Sequence, residues 1–383
     1  MARPKIRRTA RIILLSSCTL AVAGLFGAVV RQSWLTNSEA AEVVSMEAQG
    51  AEILHPMTTL LGEMVKAQST AVRGEQVDAE GLRKALASVA EVDQKFGVAL
   101  QTSERLDGLM AQVETAITRG ETGRAAYDTY TGLVTLTRDL IRRIGDTSHL
   151  IHDPDLDSYY LMDAAIVRLP AAMVFAGRAS DLVTLAGGKA LEGEDVVRAA
   201  VARFGVSAAA EEVNDGLTKS VDFTSRSALG ANIAERLDAF RAAADAFAPP
   251  TMLAELANTV NAATLAANAN RVYAAANPLG HRLLGELQAL LEERQAKLAA
   301  DWRFTAVAGG LVTVIGLVML WLLATRRTRT GPADSVDVPS RSTPGDDLPV
   351  GSLTYARELF EAEELVHVGR AVRTRTRGNG DAR

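Results

Sequence analysis

Two long runs free of charge, Ile12 to Val30 and Phe304 to Thr325, constrain this 383-residue chain more than any other feature. Each is close to the roughly 20 residues that cross a bilayer core as a helix. Arg3, Lys5, Arg7, Arg8 and Arg11 precede the first run with no acid among them, and Arg326, Arg327 and Arg329 follow the second. By the positive-inside rule both ends of the chain then face the cytoplasm, and residues 31–303 lie outside. Trp34, Trp302 and Trp321 fall at or near the ends of the runs, where an indole prefers the headgroup level. A cleaved signal peptide would have a shorter apolar region and a small-residue cleavage site. The first run is long instead, and Arg31-Gln32-Ser33-Trp34 follows it directly. The stretch Leu15-Ser16-Ser17-Cys18 imitates a lipoprotein cleavage site only loosely, because the apolar sequence continues well past Cys18. Ala23 with Gly27 and Gly24 with Ala28 give small residues four apart, a spacing that lets a second helix approach.

The rest of the chain reads as all-α. Aromatic residues make up only 5% of it while alanine is abundant, a balance that suits packed helices. A single cysteine excludes a disulfide framework and a cysteine-based zinc site. Between residues 34 and 324 stand 25 bases and 37 acids, a net charge of −12. An acidic exterior disfavours nucleic acid and an anionic membrane surface as partners, though it says little about one buried cationic pocket.

From Leu35 onward apolar residues recur at three and four, through Val43, Met46, Ile53, Met57, Leu60, Leu61 and Met64. The spacing returns before the second run with Leu284, Leu287, Leu291 and Leu298, interrupted at Arg294. Both stretches read as amphipathic helices that run straight into the apolar segments. Between them, Gly74, Gly120, the segment from His152 to Asp157, Gly187-Gly188, Gly193, Gly216, Gly230 and Pro249-Pro250 mark breaks. Helices are predicted near 80–118, 122–150, 155–185, 194–215 and 231–247. Pro56 lies 25 residues beyond Arg31 and Pro278 lies 26 before Phe304. At 1.5 Å per residue, both stand about 38 Å above the membrane. Proline inside a helix removes a backbone bond and kinks it, so both helices are expected to bend at one height, between a membrane-proximal bundle and a distal one.

The other end of the chain differs in kind. Residues 326–351 carry Pro332, Pro339, Pro344 and Pro349 among Ser, Asp and Gly, a composition that cannot bury a core and reads as a linker. Within 352–383, residues 352–373 read as one helix. Ser352 caps it, Glu358, Glu361, Glu363 and Glu364 crowd its first half, and Arg370 and Arg373 close it, ahead of a basic tail. Tyr355, Leu359, Ala362 and Val366 form a narrow stripe sufficient for docking on another protein.

The most distinctive string is His152-Asp153-Pro154-Asp155-Leu156-Asp157-Ser158-Tyr159-Tyr160-Leu161-Met162-Asp163, followed by Arg168-Leu169-Pro170. Local chemistry accounts for its beginning: Asp153 can cap, Pro154 suits the first helical position, and Asp155 and Asp157 favour a helix N-terminus. The same string resembles a motif in the extracytoplasmic sensory region of bacterial methyl-accepting chemotaxis proteins and membrane-bound histidine kinases. The segment LLEERQAKLAADW entering the second run is similar to their membrane-proximal helix, with less specificity. The layout resembles theirs over about residues 10–325, but the specific part is under twenty residues. The resemblance implies a ligand-responsive helical bundle, and the length suits two stacked bundles. Those receptors continue into a HAMP linker and a signalling, kinase or cyclase module, and nothing comparable fits in the residues after Thr325. Any output is therefore expected from a partner. His367 lacks an ATP-binding region to serve as a phosphoacceptor.

No enzyme is expected, since no Gly-x-Ser-x-Gly, His-Glu-x-x-His, phosphate loop or dinucleotide fingerprint occurs. Asp153, Asp155 and Asp157 mimic the start of a calcium loop, but Ser158 replaces the turn glycine and Ala164 the bidentate glutamate. His149 and His152, three apart beside those acids, leave an adventitious divalent site as the one metal reading, and capping or solvated roles are preferred; no cofactor is implied. A ligand site is sought between helices. Tyr160, Ala164 and Arg168 share a helix face, Arg178 lies ten residues on, and Arg142 and Arg143 come from the preceding helix. An inward guanidinium there can hold a small carboxylate or similar anion, while the bland alternative is a surface ion pair. The expectation is thus a dimeric, two-span receptor-like protein of the bacterial inner membrane. Its exterior is an elongated antiparallel helical bundle that senses a small, anionic molecule or an envelope condition, and its 352–373 helix engages a cytoplasmic protein. The rival reading is a non-sensing envelope scaffold.

Overall fold

The computed structural model describes residues 4–152, 155–224, 226, 228–249 and 261–327, with side chains at 4–16, 18–23, 320 and 322–327 excepted. Asp153, Pro154, the linker beyond Arg327 and the helix expected at 352–373 lie outside the described residues. What is described is all-α, with no strand among those residues.

Helix α1 runs unbroken from Pro4 to Val72, so the first apolar run and the amphipathic stretch beyond it form one helix of 69 residues, about 100 Å long. Helix α2 spans Ala79–Leu100 and α3 Ser103–Arg119. Helix α4 spans Gly123–Thr147 and is followed by a 3₁₀ turn at Leu150–His152. The distinctive motif opens α5 at Leu156–Met162, which widens into a π turn at Asp163–Arg168 and resumes as α6 at Leu169–Leu185. Helices α7, Glu194–Phe223, and α8, Leu229–Phe247, follow. The last helix, α9, runs from Ala262 to Arg327 through the second apolar run, 66 residues without a break.

Three positions differ from the sequence expectation. The helix expected over 80–118 divides at Gln101, which takes the left-handed conformation with φ 55° although it is not glycine. Thr102 repairs the break, its hydroxyl donating to the buried Asp93 carboxylate and its amide to the Gly97 carbonyl at 2.9 Å. Gly216, expected as a breaker, lies inside α7 beside the Tyr160 ring, where a Cβ would stand 3.5 Å from Tyr160 Cδ1, an ordinary contact. Gly230 likewise falls within α8. The π turn has a local cause. Pro170 has no N–H to return to the preceding turn, and just before it the Leu169 amide reaches back five residues to the Ala164 carbonyl.

Helix α1 packs along α2, α4 and α6, while α7 packs against α5, α6 and α8. The core takes Ile53, Leu54, Met57, Leu60, Leu61 and Met64 from α1 and Leu279, Leu283, Leu284, Leu287 and Leu291 from α9, with Phe240 and Phe247 from α8. At the lower end of this series α1 turns Val44 inward and leaves Val43 exposed. Pro56 and Pro278 both lie inside their helices, and a contact between His55 and His281 sets the two prolines at one level.

Among the described residues, two helices are long and apolar enough to cross a membrane. One is the second apolar run, in Ala262–Met319, whose apolar window is 0% buried. The other is Leu156–Leu185, whose window is 67% buried, as befits a core helix. The first run is helical within α1, and its Leu25 and Val29 stand 70% and 60% exposed.

Core burial sets a stability prediction. Leu61→Ala is expected to destabilise the protein by about 2–5 kcal/mol through lost burial and the cavity left behind, because Leu61 is fully buried. Val98→Ala, at a side chain 91% exposed, is expected to change stability by less than about 0.5 kcal/mol. Chemical denaturation of the detergent-solubilised chain reads both.

Candidate functional site

The four residues expected to bind ligand separate into two groups. Tyr160 and Arg168 do share a face, and that face lies on α7. The Tyr160 ring packs over Gly216, with the Lys219 ammonium 5.4 Å from its centroid and Tyr159 against it edge-on. Arg168 is engaged, donating from Nε to Asp163 at 2.9 Å and from Nη1 to Glu212. This is the bland alternative, an ion pair, and it leaves Arg168 no free fork for a ligand.

The motif acids act on the other long helix. Asp155 and Asp157 hold Arg294 of α9, at 2.8 and 3.7 Å, and the same guanidinium donates to Ser158 Oγ at 2.7 Å. Ser220 of α7 donates to the Asp157 carbonyl at 2.8 Å. Arg294, which interrupts the leucine series of α9, is thus the group the motif is built to grip. No cluster of three or more metal-ligating side chains occurs among the described residues. His149, with φ 66°, serves the turn that ends α4.

Arg178 lies elsewhere, and Arg142 is linked to it only through Arg138, whose charge both oppose. Arg178 of α6 donates to Thr135 Oγ1 of α4 at 2.8 Å and, more weakly, to the Thr131 carbonyl at 3.4 Å. It borders a cleft of about 410 Å³ lined by Tyr127, Asp128 and Thr131 of α4, Phe175 of α6, and Val197 and Val201 of α7. Arg138, which sequence reasoning missed, lies one turn from Arg142 and 5.8 Å from the Phe175 ring centre. Burial, with the like charges of Arg142 and Arg178, brings its guanidinium down to about 10, and burial lowers Arg178 as well. Arg142 itself is exposed. Two buried polar atoms at the cleft, Arg178 Nε and Thr131 Oγ1, have no hydrogen-bond partner among the described residues. A buried donor without an acceptor is costly, so the cleft combines apolar walls, the Arg178 guanidinium together with the Asp128 carboxylate, and unspent hydrogen-bonding capacity. Arg198 at its rim is already paired with Glu194 and Asp195, at 2.6 and 3.6 Å. A cleft of this size and lining suits a small molecule.

Behind the cleft, Asp181 of α6 is buried against α1, where Gln68 Nε2 donates to it at 3.0 Å. Burial pushes its carboxyl up to about 7, although Ser69 and Gln68 favour the charged form. Asp181 and Arg178 are three residues apart, so one turn of α6 touches both the cleft and α1. The sequence signal available for this was an acid within the otherwise apolar run Ser180-Asp181-Leu182-Val183.

No protein-family model, curated protein or solved structure matches this chain.

The Asp181 carboxyl gives a pH prediction. The unfolded chain releases this proton near 3.8, whereas the folded chain keeps it to about 7. Between those values the native state binds more protons, so this residue's contribution to stability falls as pH rises through the window. Asp181→Asn is expected to unfold like the native chain near the acid end and to be more stable by a few kcal/mol above the window. Denaturant unfolding of the two proteins across that range measures the difference.

Proposed function

We propose that this chain is a two-span receptor-like protein of the bacterial inner membrane, kin to the sensory regions of chemoreceptors and membrane histidine kinases. In this reading residues 31–303 form an antiparallel helical bundle outside the membrane, arranged as two stacked layers. The ends of the chain lie inside, and two copies pair through their spans. One observation carries the reading: α1 and α9 each pass without interruption from an apolar run into the packed core. A rigid helix transmits a displacement along its axis where a flexible linker would absorb it.

The cleft between α4, α6 and α7 is the proposed sensor, and a small organic anion its ligand. A bound anion satisfies Arg178 Nε and Thr131 Oγ1 and relieves the like-charge crowding of Arg138, Arg142 and Arg178. It does so on α6, whose Asp181 grips Gln68 of α1 one turn away. Movement of α6 against α1 then reaches the first span, and the segment 352–373 passes the change to a separate cytoplasmic protein. The scaffold alternative draws on a different observation, the apolar stripe of α7 in which Val197, Val201 and Phe204 are 62%, 60% and 47% exposed.

Two measurements test the reading. In a Cys18→Ser background, a membrane-impermeant maleimide is expected to label Val201→Cys in spheroplasts, and Phe360→Cys only after permeabilisation. Labelling of both on one side overturns the topology. Thermal unfolding of the full chain against mono- and dicarboxylates, inorganic phosphate and sulfate is expected to find a stabilising anion. That effect should be lost in Arg178→Gln and kept in Arg168→Gln. No stabilisation by any organic anion, together with capture of envelope proteins that fails when Phe204 is made Asp, favours the scaffold.

A further inference from the structure

The only contact between histidines among the described residues joins the two long helices. His55 of α1 and His281 of α9 have ring centres 5.6 Å apart and planes within 10° of parallel, yet their Nδ1 atoms are 3.3 Å apart. With ring bonds of about 1.35 Å, a nitrogen stands about 1.15 Å from its ring centre. Two such radii and the nitrogen gap account for the whole separation of the centres. The nitrogens therefore lie on the line between the rings, which sit edge to edge and nearly coplanar. This is the geometry of an N–H···N hydrogen bond, and it has room for one proton.

The outer nitrogens fix which ring supplies it. His55 Nε2 is 3.3 Å from Gln288 Oε1, an acceptor, so that nitrogen carries hydrogen and His55 Nδ1 is bare. His281 then donates from Nδ1 and accepts at Nε2 from the Thr59 hydroxyl, 3.2 Å away. Two neutral rings are fully satisfied. A first added proton goes to His281 Nε2, and Thr59 turns its hydroxyl to the His55 carbonyl, 3.4 Å off. A second can go only to His55 Nδ1, where it meets the N–H of His281 head-on between two charged rings.

The charged groups carried at this level are engaged elsewhere. Glu52 of α1 pairs with Lys95 of α2, and Glu63 of α1 with Lys66. On α9, Arg282 pairs with Glu286, which also holds Arg226 from the segment before α8. Arg143 of α4 donates to Gln101, and Arg168 before α6 to Asp163 and Glu212.

We propose that His55 and His281 form a proton-controlled clamp between α1 and α9, closed while the facing nitrogens share one proton and opened when both rings are charged. Burial lowers both imidazoles below the ordinary 6.5, and the charge of His55 lowers His281 further. An unfolded or opened pair takes protons more readily, so the closed clamp is favoured at neutral pH and weakens as pH falls below 6.5. The clamp answers to acidity and needs no occupant in the cleft.

The test uses the full chain in lipid nanodiscs, with Cys18→Ser and spin labels at Ser45→Cys and Gln295→Cys, two exposed positions on opposite walls of one groove below the clamp. Pulsed electron resonance is expected to show the α1 to α9 distances lengthening and broadening on acidification from about pH 7.5 to about pH 5. His55→Gln and His281→Gln should each abolish that response, and the anion titration at neutral pH should be unchanged in both. Distances that ignore pH in the native pair overturn the proposal, as does an undiminished acid response in both variants. If the variants do not fold, imidazole ¹⁵N spectra of the native chain decide. One shared Nδ1 proton with depressed titration supports the clamp, and two rings titrating independently near 6.5 overturn it.

Discussion

Everything in this architecture follows from helices that cannot stop where their apolar runs stop. In hydrocarbon each backbone N–H and C=O must find its partner within the same segment, which makes a spanning run helical. Nothing between Val30 and Val72, or between Ala262 and Phe304, ends that helix except two prolines, and neither does so. A proline removes one amide and disturbs one turn. Packing on both sides outweighs that loss, because Ile53, Leu54, Met57 and Leu60 surround Pro56, and Leu279, Leu283 and Leu284 follow Pro278 in the core. The continuity of α1 and α9 is thus a balance in which burial of several leucines exceeds one missing hydrogen bond.

That continuity was legible in the sequence, since hydrophobic spacing and the absence of breakers are local properties. The level shared by Pro56 and Pro278 was legible too, by counting residues from each run. The same count would have paired His55 with His281, each within three residues of a proline, but nothing local marks two isolated histidines as neighbours. Gly216 shows the opposite failure. A glycine reads as a break when seen alone, and as a helical neighbour of the Tyr160 ring only once α5 lies against α7. Gln101 breaks a helix without any of the residue types that announce a turn, because Asp93 and Thr102, nine residues apart, fix the geometry through a contact that spans the break.

The candidate site was half legible for a similar reason. Periodicity correctly set Tyr160 and Arg168 on one face, but it could not say that Glu212 and Asp163 already occupy that guanidinium. Arg178 and Arg142 were found by residue type, whereas Arg138 and the orphaned Thr131 hydroxyl emerge only when α4 and α6 are side by side. The motif Asp155-Leu156-Asp157-Ser158 carried its meaning in a residue far along the chain. The charge that spoils the leucine pattern at Arg294 is the charge those acids hold.

Taken together, α9 and α1 are each held by buried apolar side chains and by polar contacts, and the two kinds of contact resist motion differently. Arg294, Glu286 and His281 each bind α9 through directional bonds that break over a short displacement. The α1 face, with Leu54, Leu60, Leu61 and Met64, loses little when a rigid helix slides by a fraction of a turn, since dispersion and burial lack direction. Its polar ties do have direction: Gln68 to Asp181, Glu52 to Lys95, His55 to His281 and Gln288, and Thr59 to His281. Axial motion of α1 is therefore resisted chiefly by these polar ties, and in the proposed reading two of them, Gln68 to Asp181 and His55 to His281, are the ones that answer to occupancy at α6 and to protons at the clamp. In that reading a perturbation at either place acts on the helix that enters the first apolar run.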